Sequence, residues 1–146
     1  MRWILQLALC WTIVLNGLSQ QNARKEHHTL TVKITGIENQ RGVIEIALYK
    51  DPNKFAKVGQ TYRIVRIKPE GNELIHEFKY LEEGEYAVCL FHDENNNKVC
   101  DKNFLGIPTE AYAFSNNIRP KLSIPSFYDC STNLNKDKSF TIKMYY

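Results

Sequence analysis

The chain has 146 residues, a length that suits a single domain. Its 19 basic and 16 acidic residues give a net charge of +3, and no basic helix or Lys/Arg run stands out. That overall balance makes no case for a nucleic-acid partner or an anionic membrane.

The N-terminus reads as an export signal. Met1-Arg2 is a short positive start, Trp3 to Leu15 is an apolar run, and Asn16-Gly17-Leu18-Ser19 supplies small residues before a cut after Ser19. The run is interrupted by Gln6 and Thr12 and falls short of the roughly 20 apolar residues of a membrane anchor. A lipoprotein is a poor reading, because Leu9 precedes Cys10 where a small residue is wanted. Loss of residues 1–19 leaves 18 basic against 16 acidic residues. The expected product is secreted, periplasmic or extracellular, with no membrane span. Residues 20–28 are polar and without period, the pattern of a loose arm. Their His27-His28 pair lacks a third ligand for a metal and reads as tail. The domain proper is expected over residues 29–146.

From Leu30 the period becomes two. Leu30, Val32 and Ile34 alternate with Thr31, Lys33 and Thr35, which predicts a half-buried strand. After a Gly36–Gly42 turn, Val43 to Tyr49 predicts a second strand, and Lys50 to Gln60 a long polar connection that could carry a ligand edge. Tyr62 to Pro69 and Glu73 to Leu81 predict two more strands about the turn signal Pro69-Glu70-Gly71-Asn72. Glu85 to His92 is apolar on both faces, which predicts a central strand. Ser139 to Tyr146 is the last clear strand. Between these two lie more than forty residues of weak period, Asp93 to Lys138. So long a connection in a compact domain argues for function or internal constraint. Leu122 to Tyr128 offers a short strand that Pro125 would confine to an edge. No ten-residue stretch has a helical apolar face. The fold class is all-β: an immunoglobulin-like or transthyretin-like β-sandwich of about seven strands with one long ordered loop.

Three cysteines follow the signal, Cys89, Cys100 and Cys130. Cys89 lies between Val88 and Leu90 in an apolar strand and reads as a buried free thiol. That leaves Cys100 and Cys130 as the expected disulfide in an oxidising compartment. No C-x-x-C is present, so a thioredoxin-like or zinc-ribbon role lacks its basic element.

The densest chemistry is HDENNNKVCD, His92 to Asp101. With Asp93 as the first position, Asn95 is third, Asn97 fifth, the Val99 carbonyl seventh and Asp101 ninth. Hard cations such as calcium want six to eight oxygens from carboxylates, amides and backbone carbonyls, and this spacing turns them to one side of a loop. Two departures from an EF-hand-like loop stand out. Lys98 occupies the sixth position, where a left-handed turn wants Gly, so Asn96 or Asn97 is expected to take the turn. Phe104 occupies the twelfth, where a bidentate Glu belongs, and Glu110 is the expected substitute. The expected metal set is thus Asp93, Asn95, Asn97, Val99, Asp101 and Glu110, with calcium as the cofactor at an affinity of about 0.1 to 1 mM. The other reading, an Asx-rich turn whose side chains cap backbone N–H groups, stays open on the sequence alone.

The stretch from Tyr86 to Asn117 resembles the signature of domain-of-unknown-function family 2141, a secreted and mostly bacterial family of unknown activity. The residues that carry the resemblance are His92, Asp93, Asn95, Asn97, Asp101, Asn103, Gly106, Pro108, Glu110, Ser115 and Asn116. Lys98 and Cys100 depart from the pattern, which has Gly and an apolar residue there. The resemblance implies fold and compartment more than function.

Catalytic motifs are sparse. Ser115 and Ser126 have no G-x-S-x-G context, no H-E-x-x-H exists, and no Gly-rich phosphate loop appears. The expected function is a secreted, non-enzymatic binding or scaffold module with a cation-stabilised loop. Its partner would be an extracellular or envelope protein or carbohydrate, and the chain is expected to be a monomer. Phe104, Tyr112, Phe114, Phe127 and Tyr128 could stack on a sugar or peptide, although lid residues over a core read the same way. The alternative is a secreted or envelope hydrolase using Glu110 with His92 or Asp101.

Overall fold

The computed structural model describes residues 26–120 and 123–146; the expected signal at 1–19, residues 20–25 of the expected arm, and Leu122 lie outside these. Strands form where alternate side chains can leave water together on one face. β1 (His27–Thr35) buries Leu30, Val32 and Ile34 completely and leaves Thr31, Lys33 and Thr35 half-buried. It starts earlier than expected. His27 and His28 pair with Glu82 and Leu81 of β4 (Glu73–Glu82), so the two histidines belong to the strand and not to the arm. β1 is the middle of a three-stranded sheet, antiparallel to β4 and parallel to β8 (Lys138–Lys143).

The second sheet has β2 (Val43–Tyr49) and β5 (Gly84–Asp93) at its centre. β3 (Arg63–Ile67) flanks β2. Beyond β5 the far edge is shared: β6 (Tyr112–Phe114) pairs with residues 89–91, and β7 (Ser131–Leu134) with residues 84–87. The described residues therefore form an all-β sandwich of eight strands in sheets of three and five. β5 is central, as its two apolar faces require.

The sheets face each other across a core of Leu30, Val32, Ile34, Ile46, Val88 and Leu90, among others. The larger sheet is buried on its outer face as well. Ala47, Tyr49, Ala87 and Phe114 on that face are covered by Phe55, from the 50–60 connection, and by Phe127 and Cys130 of the short helix α1 (Phe127–Cys130). This second layer is why β2 and β5 carry apolar residues at consecutive positions.

Two expectations are corrected here. Of the strand expected over Leu122 to Tyr128, the described part forms none: residues 123–126 are irregular and the chain then enters α1. Ser126 caps that helix by accepting the Asp129 N–H, and the Asp129 carboxylate accepts first the Ser126 hydroxyl and then the Ser126 N–H, two bonds that hold that carboxyl below its ordinary range. The edge strands that do form, β6 and β7, have three and four residues, too few to display a period.

Nor do Cys100 and Cys130 form a bridge; Cys89, Cys100 and Cys130 are each free. Cys130 is completely buried in the outer cluster, where Cys89 also packs, whereas Cys100 lies in the loop beyond β5. Burial pushes the Cys89 and Cys130 thiols up to about 12 and Cys100 up to about 11. Because the thiolate is the reactive form, the folded protein at about pH 8 should react with Ellman's reagent far more slowly than the unfolded protein, in which Cys89, Cys100 and Cys130 all titrate. Recovery of only one of these thiols after unfolding without reductant would contradict the free state.

The turn between β1 and β2 passes unusually close to the end of β5. Gly42 has a left-handed φ of 56°, and a Cβ there would lie 1.8 Å from the Asp93 carbonyl oxygen. Gly42→Ala combines a left-handed penalty with a backbone clash, so it should cost about 2 to 5 kcal/mol in urea unfolding. A loss within about 0.5 kcal/mol of zero, the usual range for a neutral surface change, would show that this approach is not required.

Candidate functional site

The period of β5 fixes where the site lies. Val88, Leu90 and then His92 face the core between the sheets, while Cys89, Phe91 and then Asp93 face outward. His92 and Asp93 are nonetheless both completely buried. The His92 Nε2 is 2.6 Å from the Arg41 carbonyl oxygen and its Nδ1 is 2.5 Å from the Tyr146 hydroxyl. A carbonyl only accepts, so Nε2 carries the proton and Nδ1 accepts from the hydroxyl. His92 thereby ties the β1–β2 turn and Tyr146 to the end of the central strand.

Asp93 builds the loop on the other side. Its carboxylate accepts the Asn97 N–H at 3.0 Å and the Lys98 N–H at 2.8 Å. Asn95 Oδ1 also accepts the Asn97 N–H at 3.0 Å, and Asn97 Oδ1 accepts the Val99 N–H at 2.8 Å. The Asn95 and Asn97 amide groups both donate to Asp101, at 2.7 and 3.0 Å. Glu110 closes the base, one oxygen accepting the Glu94 N–H and the other the Asp101 N–H, each at 3.1 Å.

The fold thus gathers Asp93, Asn95, Asn97, Asp101 and Glu110 into one hydrogen-bonded unit. Val99 joins it through its N–H, with its side chain exposed. The left-handed turn falls on Asn96 (φ 60°) and also on Lys98 itself (φ 65°), not on Asn97. Phe104 is 94% exposed and plays no part in the unit.

Burial holds the Glu110 carboxyl above its ordinary value of 4.5, the Asp101 and Asp93 charges add to the rise, and its two amide hydrogen bonds oppose it. Among the described residues, no Lys or Arg forms an ion pair with Asp93, Asp101 or Glu110; the nearby Arg41 pairs with Glu94. Nor do three His, Cys, Asp or Glu side chains among the described residues converge tightly enough to chelate a metal unaided. A cation here would need the Asn and backbone oxygens, and would displace the amide N–H groups now turned to Asp101.

Spacing alone missed the side chains that anchor the rest of the long connection. The Ser115 hydroxyl accepts the Val88 N–H at 2.9 Å and donates to the Cys130 carbonyl at 2.5 Å. Asn116 donates to the Asp129 and Ser131 carbonyls. Asn117 donates to the Thr141 carbonyl and accepts the Lys143 N–H. A Ser-Asn-Asn run outside any periodic segment is the residue chemistry that caps backbone groups, and that was the available signal. No signal linked Tyr146 to His92, 54 residues away.

Beside the loop lies a cleft of about 390 Å³ lined by Glu94, Pro108, Glu110, Tyr112, Arg119 and Tyr145, among others. The Arg119 guanidinium sits 3.5 Å over the Tyr145 ring. A wider trough of about 520 Å³ crosses the outer face of the smaller sheet, among Thr29, Thr31, Glu77 and Lys79. Of the aromatic residues noted in the sequence, Phe114 and Phe127 are buried in the outer cluster, whereas Tyr128 joins Phe104 in solvent.

The loop, its Glu110 closure and the Ser-Asn run all fall within residues 32–143, which match domain-of-unknown-function family 2141, described as an uncharacterized protein conserved in bacteria. The chain belongs to that family. No curated protein and no solved structure matches it. The match runs from β1 into β8, so the family spans both sheets.

Lys98 holds a left-handed φ of 65°, a backbone conformation that favours Gly. Lys98→Gly should therefore gain about 1 kcal/mol, seen as a rise of roughly 3 to 5 °C in Tm. An unchanged or lower Tm would mean that the left-handed turn at Lys98 carries no strain.

Proposed function

We propose that the protein is an exported, non-enzymatic binding or scaffold module whose 93–110 loop is stabilised by a divalent cation, calcium by the chemistry of its donors. One observation carries the reading. Three carboxylates, Asp93, Asp101 and Glu110, are drawn to one loop, none forms an ion pair with a Lys or Arg among the described residues, and the Asp101 and Asp93 charges contribute to the raised Glu110 pKa. Hard oxygen donors of this kind, carboxylate and amide together, favour calcium over softer metals. Asn95 and Asn97 can present oxygen to the cation only by turning their carboxamides, which gives up the bonds their oxygens now accept from the Asn97 and Val99 N–H groups. The aromatic and arginine-lined cleft beside the loop supports a binding role for this end of the sandwich, with a protein or carbohydrate as ligand.

A hydrolase would need Glu110 beside His92 or Asp101 in an open cleft. The cleft reaches Glu110 but is not lined by His92 or Asp101, and His92 is completely buried with both nitrogens engaged. The Glu110 oxygens each hold a backbone N–H. No helix among the described residues is long and apolar enough to cross a membrane.

Calcium at about ten times its Kd should stabilise the folded chain by about 1.4 kcal/mol, or roughly 4 to 7 °C in Tm. Asp93→Ala and Asp101→Ala should abolish that shift. If the unsubstituted chain shows no shift, the cation reading fails.

The pH dependence has a definite sign. A carboxyl whose pKa is higher folded than unfolded binds more protons when folded, so in chelator its contribution to stability falls as pH rises through its titration above 4.5. A bound cation favours the carboxylate and should cancel that fall, with protons released on binding below neutral pH. Calorimetry in buffers of different ionisation enthalpy would register the release, and an uptake of protons would contradict it.

A further inference from the structure

Beyond Asp101 the chain makes a second, tighter turn that the cation reading does not use. The Asn103 side-chain oxygen accepts the Leu105 N–H at 2.9 Å and the Ile107 N–H at 3.1 Å. The Asn103 backbone donates to the Ile107 carbonyl, Gly106 donates to the Asn103 carbonyl, and Lys102 bridges to Pro108. Gly106 supplies the left-handed residue at φ 78°. The turn is therefore held rigid by its own backbone and by one Asn.

What this rigid turn displays is apolar. Phe104 is 94% exposed, Leu105 68%, Val99 58% and Ile107 54%. Of the twelve large hydrophobic residues exposed among those described, four crowd into these nine positions. Scattered exposed hydrophobes need no explanation, but a cluster on a preorganised turn marks a contact surface. The cluster is flanked by Lys98 and Lys102, both exposed, and no ion pair engages either lysine among the described residues. The acids of the loop are engaged elsewhere: Asp93 is completely buried, Asp101 accepts from two Asn amides, Glu110 from two backbone N–H groups, and Glu94 pairs with Arg41.

We propose that the 98–107 turn docks on an anionic lipid surface, with Phe104, Leu105 and Ile107 entering the headgroup boundary and Lys98 and Lys102 meeting the lipid phosphates. A turn with an apolar apex and unpaired cations at its rim has the two features that bind an anionic bilayer interface: apolar area to bury and positive charge at headgroup level. The overall charge of the chain gives no hint of this, because the complementarity is confined to ten residues.

The test uses the full chain and co-sedimentation with vesicles of phosphatidylcholine, with and without phosphatidylglycerol, each in chelator and in calcium. Binding should require phosphatidylglycerol. The double variant Phe104→Ser with Leu105→Ser should lose about tenfold or more in partitioning, and Lys98→Gln and Lys102→Gln about fivefold each. All four side chains are exposed, so the variants should melt with the parent, and that control separates lost docking from lost folding. Binding in chelator supports the proposal equally, because the tip's chemistry does not involve the cation; the calcium shift in Tm without vesicles tests the cation reading separately. No vesicle binding in either condition, or binding that the double variant leaves intact, overturns the proposal. So does vesicle-independent self-association that the double variant removes, which would assign the tip to a second copy of the chain.

Discussion

At the end of β5 the twofold period of the strand sends the His92 imidazole between the sheets and the Asp93 carboxylate out of them, and neither side chain reaches water. Leaving such groups unpaired would cost several kcal/mol, roughly 1 to 3 for each neutral group and more for a charge. Each must therefore find partners, and each finds them in chain segments that strand pairing alone would not bring there. His92 takes the Arg41 carbonyl and the Tyr146 hydroxyl, 51 and 54 residues distant. The β1–β2 turn can come that close only because Gly42 has no Cβ. Asp93 takes the N–H groups of the loop that follows it.

The same economy orders the long connection from β5 to β8. Fixing each backbone residue costs about 1 to 2 kcal/mol, and a surface loop cannot recover this from apolar burial. Here short polar side chains bond to backbone groups instead. Asp93, Asn95, Asn97 and Glu110 build the loop, Asn103 builds the turn, and Ser115, Asn116 and Asn117 join the remainder to β5, α1, β7 and β8. Signature residues that look catalytic in a list are, by their contacts, largely those that shape backbone. The cost of this arrangement is a concentration of negative charge at one end of the sandwich, which is where cation binding is proposed. Beyond it, the Asn103 turn leaves apolar side chains in water.

Most of the fold was legible because burial follows period. The exposed-buried alternation of β1 and the two apolar faces of β5 are local patterns, and six strands could be placed from them to within a few residues. That Asp93, Asn95, Asn97 and Asp101 meet on one side of the 93–101 loop was also legible, since residues two apart in a tight loop share a side. Lys98 was harder to read. Its side chain argues against a left-handed backbone, yet the hydrogen bond from its N–H to Asp93 holds it there. The cysteines misled for a related reason: Cys130 was available to Cys100 in the sequence, but α1 buries it in the cluster where Cys89 packs.

The sequence by itself determined the all-β class, the central strand, the family and the gathering of oxygens after it, because each depends on neighbours within a few residues. Only the tertiary structure decided that the larger sheet is covered on both faces, that β1 lies parallel to β8, that Glu110 meets the loop through the Glu94 and Asp101 N–H groups, and that His92 is a buried tie between distant segments. These depend on which surfaces meet, and strands of similar period can pair in many ways. The choice among them is made where buried polar groups must be satisfied, and that requirement becomes visible only once the chain is folded.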